Sequence, residues 1–381
     1  MTNDDANFRT PGQLLQALLD ERGWTKRTLA IVLGIDESAI TRWTSDKQPM
    51  TASTAVSLEE VFGVPADRFM ALQQAYDLAK ARFVARPDPN RQTRAHLFGS
   101  LPIAEMIKRS WIDADDVRDV AKVESALARF FGVSKPDEIE ILPHAAKRSN
   151  VGPDVTAAQL AWLYRVRTIA SEMVVAPFSP QALRNAMGKL AALRRHPEEL
   201  RKVPKILGDA GIRFLIVESL TGAKIDGVCF WLDERSPVVA LTMRLDRIDN
   251  FWFVLSHELE HVAQGHGKIT PMVDSDLEGA KAGTGDEVQE EERVANAAAA
   301  EFCVPQSMLA GFIARKAPFF SERDLLGFAK IADVHPGLIA GQLQHKTGRY
   351  DRFRSHLVKA RSFIAPSAIV DGWGDVAPVD F

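Results

Sequence analysis

The chain has 381 residues, 46% of them hydrophobic and 25% charged, with a net charge of −3. This is the make-up of a globular protein with room for two or three domains, and it excludes both a disordered chain and a uniformly basic nucleic-acid coat. Its two cysteines, Cys229 and Cys303, exclude a disulfide framework and point to a reducing compartment.

Residues 11–85 read as a set of short helices. Pro11 suits a first helical position, Leu14, Leu15, Leu18 and Leu19 share one face, and Gly23 ends the segment. A second helix over Lys26–Leu33 is followed by Gly34-Ile35 and then by Asp36, a good cap for a third helix running to Trp43. Leu29, Ala30, Leu33, Ile35, Ile40 and Trp43 are expected to fill the angle between these two helices. Helix, glycine turn and helix make a helix-turn-helix. Two more helices are expected at 51–62 and 65–85, divided by Gly63-Val64-Pro65. In such a fold the second helix of the motif enters the major groove by its N-terminal half. Ser38, Thr41 and Arg42 are then the candidates for base contact, and Lys26, Arg27 and Lys47 for phosphates. Acidic residues slightly outnumber basic ones in this segment, and folds of this kind also bind proteins.

Residues 86–95, which include Pro87 and Pro89, read as a polar linker. From 96 to 200 the pattern is helical, with candidates at Ala114–Phe131, Ala157–Val175 and Pro180–Arg195. Lys147 to Arg213 carries a surplus of seven basic residues, a solvated face or a surface for an acidic partner. Strand signals begin only after 210, at Ile212–Val217, Gly227–Leu232 and Val238–Leu241.

An apolar run, Phe251–Leu255, leads into His257-Glu258-Leu259-Glu260-His261. On a helix the two histidines lie one turn apart on one face and can share a Zn²⁺. Glu258 flanks them as a base for a water proton and later as the donor to a leaving amine. A catalytic zinc takes three protein ligands and keeps one position open. The third is sought in Glu292, at the start of an alanine-rich helix that ends at Pro305 and can pack closely beside the first. Glu290 and Glu291 are its rivals; His266 stands nearby in sequence, but it lies just past a glycine and reads as a solvated side chain. Asp274 to Glu292 holds eight acids against one base, Lys281, and its first part reads as a loop. Two imidazoles and one carboxylate would also accept Mn²⁺. His335, His345 and Tyr350 are candidates for an oxyanion stabiliser.

These residues carry two resemblances. Residues 212–305, with Phe253-x-x-x-His257-Glu258-Leu259-x-His261 and Glu292-x-x-Ala295-Asn296 followed by Val304-Pro305, resemble the ImmA/IrrE-type metallopeptidases. The resemblance implies a zincin-like fold, His257, His261 and Glu292 as ligands of a zinc ion, and Glu258 as the catalytic residue of a gluzincin-like metallo-endopeptidase. Glu260 stands where that family usually has glycine, Ala298 where it has phenylalanine and Cys303 where leucine is common. Residues 1–85, through Pro11-Gly12, Leu29-Ala30, Gly34-Ile35 and Leu72–Ala79, are similar to the XRE-type helix-turn-helix of HigA-like antitoxins. The joined layout resembles regulators in which the peptidase cuts a helix-turn-helix repressor or toxin–antitoxin component and so switches on stress, prophage or mobile-element genes.

The expected protein is therefore α+β and mostly α. It has an all-α helix-turn-helix domain at 1–85, a linker at 86–95 and a helical middle region at 96–200. A zincin-like domain with a small sheet follows at 201–315, then a helical extension at 316–381. Met1–Asp5 lacks the basic and apolar regions of a signal peptide, and no apolar run approaches the about 18 residues of a membrane span. A cytoplasmic regulator with no membrane partner is expected, one that binds operator DNA, as a homodimer where the site is palindromic. The rival is an antitoxin-like DNA-binding regulator whose zincin domain senses or binds a partner without cutting it.

Overall fold

The computed structural model describes residues 8–85, 91–139, 156–268, 271–275 and 290–378, and for 272–275 the backbone only. It divides into two compact units, Met1–Pro89 and Asn90–Phe381.

The described residues of the first unit form five helices: α1 (Pro11–Arg22), α2 (Lys26–Leu33), α3 (Glu37–Thr44), α4 (Ala52–Phe62) and α5 (Ala66–Val84). Each boundary has a local cause. The Thr10, Thr25, Asp36 and Thr51 side chains accept the first free N–H groups of α1 to α4. Gly23, Gly34 and Gly63 close α1, α2 and α4 in the left-handed conformation. Leu14, Leu15, Leu19, Leu29, Ile40, Leu58 and Phe69 form the core. Gln73 on α5 is buried, and its Oε1 accepts the Met50 N–H at 2.8 Å, which fixes the turn after α3. Ile35, expected inside, is 38% exposed: it follows the left-handed Gly34 at the outside of the turn.

In the second unit the helices are α6 (Arg91–Ser100), α7 (Ile103–Lys108), α8 (Val120–Phe131), α9 (Ala157–Glu172), α10 (Pro180–Leu193), α11 (Val203–Asp209), α12 (Ile248–Gln264), α13 (Glu290–Cys303), α14 (Gln306–Lys316), α15 (Glu322–Ala332), α16 (Pro336–Thr347) and α17 (Arg361–Ile364). Among the described residues five strands form one sheet: β1 (Arg213–Val217), β2 (Ile225–Trp231), β3 (Pro237–Leu241), β4 (Met272–Ser275) and β5 (Ile369–Asp371), in the order β4-β2-β3-β1-β5. β1 runs parallel to β3 and β5, whereas β2 runs antiparallel to β3 and β4.

Side chains alternate along the strands, and both faces of the sheet are covered. Phe214, Ile216, Cys229, Trp231, Val239 and Leu241 pack on one side with Phe251, Val254, Leu255 and Leu259 of α12. Leu215, Val217, Val228, Phe230, Val238 and Ala240 pack on the other with Leu127 of α8 and Trp162, Leu163 and Val166 of α9. Of the helices expected as a middle region, α8 and α9 thus cover the second face of the sheet, whereas Leu183, Leu190 and Leu193 of α10 pack on the first. The chain from 316 onward also differs from the expectation of a helical extension, because β5 lies within it and adds the strand beyond β1. Residues 91–95, expected as linker, open α6. The Ala114–Phe131 helix begins later, at Val120, because the Asp119 side chain accepts from the Lys122 N–H and sets the start. β4 forms where the acidic stretch was expected to begin as a loop, and residues 276–289 of that stretch lie outside the described residues.

Among the described residues no single helix is long and apolar enough to cross a membrane.

Candidate functional site

α12 lies against β2, β3, α13 and α16. Its lead-in residues Phe251, Trp252, Val254 and Leu255 are buried, so the face that follows them is carried into the interior. His257, Glu258 and His261 are each 0% exposed. Gly265 ends the helix in the left-handed conformation. α13 approaches closely because its inner face carries Ala295, Ala299 and Cys303, and Glu292 lies one turn before Ala295 on that face.

Three donor groups therefore converge. The Nε2 atoms of His257 and His261 lie 3.0 Å apart. Glu292 Oε2 is 3.4 Å from His257 Nε2, and Glu292 Oε1 is 3.5 Å from His261 Nε2. Four-coordinate zinc with bonds of about 2.0–2.1 Å places donors roughly 3.3–3.4 Å apart; the two carboxylate–imidazole spacings match this, and the imidazole nitrogens stand somewhat closer together. Two imidazoles and a carboxylate also suit it chemically, and Mn²⁺ as well. Among the described residues, His257, His261 and Glu292 form the group of His, Cys, Asp and Glu side chains that could hold a metal. The rival glutamates point elsewhere: Glu290 is exposed and pairs with Arg293 at 3.0 Å, and Glu291 lies 3.8 Å from His266.

Glu258 lies over β2. A methyl group at Gly227 would overlap Glu258 Oε1 and would stand 2.9 Å from Val254 Cγ1, so only glycine leaves room for the carboxylate there. Glu260, on the outer side of the helix, accepts from Gln264 Nε2 at 2.6 Å and belongs to the half-buried rim. His335 caps α16, with Nδ1 accepting the Gly337 N–H at 3.0 Å, and burial is the main cause of its pKa lying below the ordinary imidazole value. His345 is exposed and Tyr350 half-buried, and neither belongs to the donor group.

Sequence reasoning passed over Gly227, whose role depends on a contact with another element, and treated His266 as solvated because it follows a glycine. His266 Nδ1 in fact stands 3.0 Å from His261 Nδ1.

In the first unit, Ser38, Thr41 and Arg42 are exposed on α3, Arg27 is exposed on α2, Lys47 is exposed beyond α3, and Lys26 is half-buried. The Arg42 guanidinium donates to Gln48 Oε1 at 2.8 Å and to Ser38 Oγ at 3.1 Å, which lays it along the helix. Gln48 has no part in the helix pattern, and sequence reasoning missed it. The Ser38 hydroxyl, and then the Ser38 N–H at 2.7 Å, hold the exposed Asp36 carboxyl below its ordinary pKa, so the cap at the start of α3 is ionised at neutral pH.

The helix-turn-helix family model matches residues 15–69. An uncharacterized HTH-type transcriptional regulator of Escherichia coli (strain K12), YddM, is 33% identical over 76 residues, which are 20% of this chain and 81% of that protein. The chain belongs to the helix-turn-helix transcriptional regulators. This regulator carries a second recognisable part, since the model of the IrrE N-terminal-like domain, a peptidase family, matches residues 209–321. That match spans β1 to β4, α12, α13 and α14, and so contains every member of the donor group.

Proposed function

We propose that the regulator is a cytoplasmic DNA-binding protein whose second unit is a zinc-dependent endopeptidase. Its substrate is another protein, of the helix-turn-helix repressor or toxin–antitoxin class. The observation that carries this reading is the convergence of His257, His261 and Glu292 within 3.0 to 3.5 Å, with Glu258 on the adjoining helix position.

His257, His261 and Glu292 would hold the ion, which when bound supplies Lewis acidity toward a peptide carbonyl and an attacking water. Glu258 is the residue placed to move protons. As a carboxylate it accepts the proton that the attacking water loses, and as the acid it returns that proton to the departing amine. The missing side chain at Gly227 leaves the room that the carboxylate occupies. Cells making the wild-type chain should contain a cleaved protein that cells making Glu258→Gln lack, read by labelling new N-termini across the proteome. No difference between the two would leave the domain without a proteolytic role.

One observation favours a second reading, in which the zincin-like domain senses or binds a partner without cutting it. Glu258 is wholly buried, and a general base must meet water. In that case the transcriptional response survives in Glu258→Gln cells.

For the first unit we propose operator binding through α3, by a homodimer if the operator is palindromic. Ser38, Thr41 and Arg42 would face bases, with Lys26, Arg27 and Lys47 near phosphates. Arg42→Ala should weaken binding of the full chain to its selected duplex by about 1–3 kcal/mol, roughly 5- to 150-fold in Kd. A selection from random duplex DNA supplies the site and gel shift or fluorescence anisotropy the affinity. A pool that yields no preferred sequence would make this unit a protein-recognition module.

A further inference from the structure

We propose that His266 is a positioning residue for the metal centre: it holds His261 in the tautomer and orientation that turn Nε2 toward the ion, with Glu291 behind it. This rests on the reading that His257, His261 and Glu292 hold a divalent metal.

A neutral imidazole has one N–H and one bare nitrogen. For His261 Nε2 to act as a ligand, the proton must sit on Nδ1. The ring is completely buried, so that N–H needs an acceptor inside the protein. His266 Nδ1 stands there at 3.0 Å. If it accepts, its own ring proton must lie on Nε2, and that nitrogen faces Glu291 Oε1 at 3.8 Å. The three groups are thus consistent in polarity, running carboxylate, imidazole, imidazole toward the donor cluster. Histidine ligands of metals commonly donate their second ring N–H in this way, and loss of the acceptor typically costs about 10- to 100-fold in metal affinity.

His266 is built into its place. The left-handed Gly265 turns the chain, and the His266 N–H donates back to the His261 carbonyl at 2.9 Å. The His266 carbonyl accepts from Trp231 Nε1 at 2.8 Å. Gly267 then lies so close to β2 that a side chain would come within 2.6 Å of the Cys229 carbonyl oxygen. The turn is pinned to the strand on both sides of the side chain. His266 is not a fourth ligand in this arrangement, because it meets the His261 ring at Nδ1, away from the Nε2 that faces the cluster.

The test uses the full-length protein, Zn²⁺ in competition with a chromophoric chelator, and Co²⁺ as a spectroscopic probe. His266→Ala should raise the Zn²⁺ Kd by about 10- to 100-fold with stoichiometry unchanged. His266→Asn, whose side-chain amide oxygen can take the place of Nδ1 as acceptor, should recover most of the affinity. The visible Co²⁺ bands should keep their positions in both variants, and Glu291→Gln should show a smaller loss. Two results would overturn the proposal while leaving the metal site standing. One is wild-type affinity in His266→Ala alongside lost binding in His257→Ala. The other is equal loss in the Ala and Asn variants with displaced Co²⁺ bands, which would make His266 itself a ligand. A wild-type protein that binds neither ion overturns the metal reading and this proposal with it.

Discussion

Glu258→Gln should lower peptide-bond hydrolysis by about 10²–10⁴-fold, the usual contribution of a general base, while the protein keeps its metal and its fold. Glutamine has nearly the shape of glutamate and can occupy the same space beside Gly227, where the missing side chain leaves room for it. An amide oxygen does not take up a proton from water at neutral pH, so the step that makes the nucleophile is lost. His257, His261 and Glu292 are untouched, so metal content should equal that of the wild type. Turnover of a cleaved partner, measured together with metal content and circular dichroism, checks the expectation. Unchanged turnover would remove Glu258 from the chemistry.

Asp371→Ala should destabilise the second unit by about 3–5 kcal/mol, the cost of stranding a buried charge. Asp371 lies on β5 and is 1% exposed, as is Arg165 on α9. Arg165 Nε donates to Asp371 Oδ2 at 2.8 Å and its Nη2 donates to the same oxygen. Trp111 Nε1 donates to Oδ1 at 2.7 Å. Arg165 Nη2 also donates to the Ala377 carbonyl at 3.1 Å. One carboxylate thereby ties α9, the Trp111 segment and the C-terminal strand to the sheet. Without it Arg165 keeps its charge in an apolar setting, and Trp111 loses its acceptor. Urea unfolding followed by circular dichroism should show the lowered midpoint. A change under about 1 kcal/mol would mean that the region relaxes enough to hydrate Arg165.

The same contact shows where the sequence is silent. Asp371 is an isolated acid in a stretch with no strand pattern, 206 residues from Arg165. Its role exists only once β5 has paired with β1. The two-sided burial of the sheet was similarly hidden. β1 and β3 read as short apolar runs, which say that a strand is buried but not what covers it. Elements with local causes were legible. The helix-turn-helix follows from threonine and aspartate caps and left-handed glycines. The His257 and His261 pair follows from one turn of helix. The approach of α13 follows from Ala295 and Ala299, small enough to let two helices meet. Within the Glu290–Glu292 run, spacing left three candidates, and the geometry separates them because one turn of α13 directs only Glu292 to the histidines. His266 was misjudged because its sequence neighbours are two glycines, which suggest a loose loop, whereas Gly267 is there to meet β2.

Metal content tests most directly the proposed centre between α12 and α13. Purified wild-type protein, dialysed against trace Zn²⁺ and assayed by elemental analysis, should hold one equivalent per chain. Glu292→Ala should lose most of it, and Glu290→Ala and Glu291→Ala should each retain the full stoichiometry. Retention of a full equivalent by Glu292→Ala, or its absence from the wild type, would contradict the account.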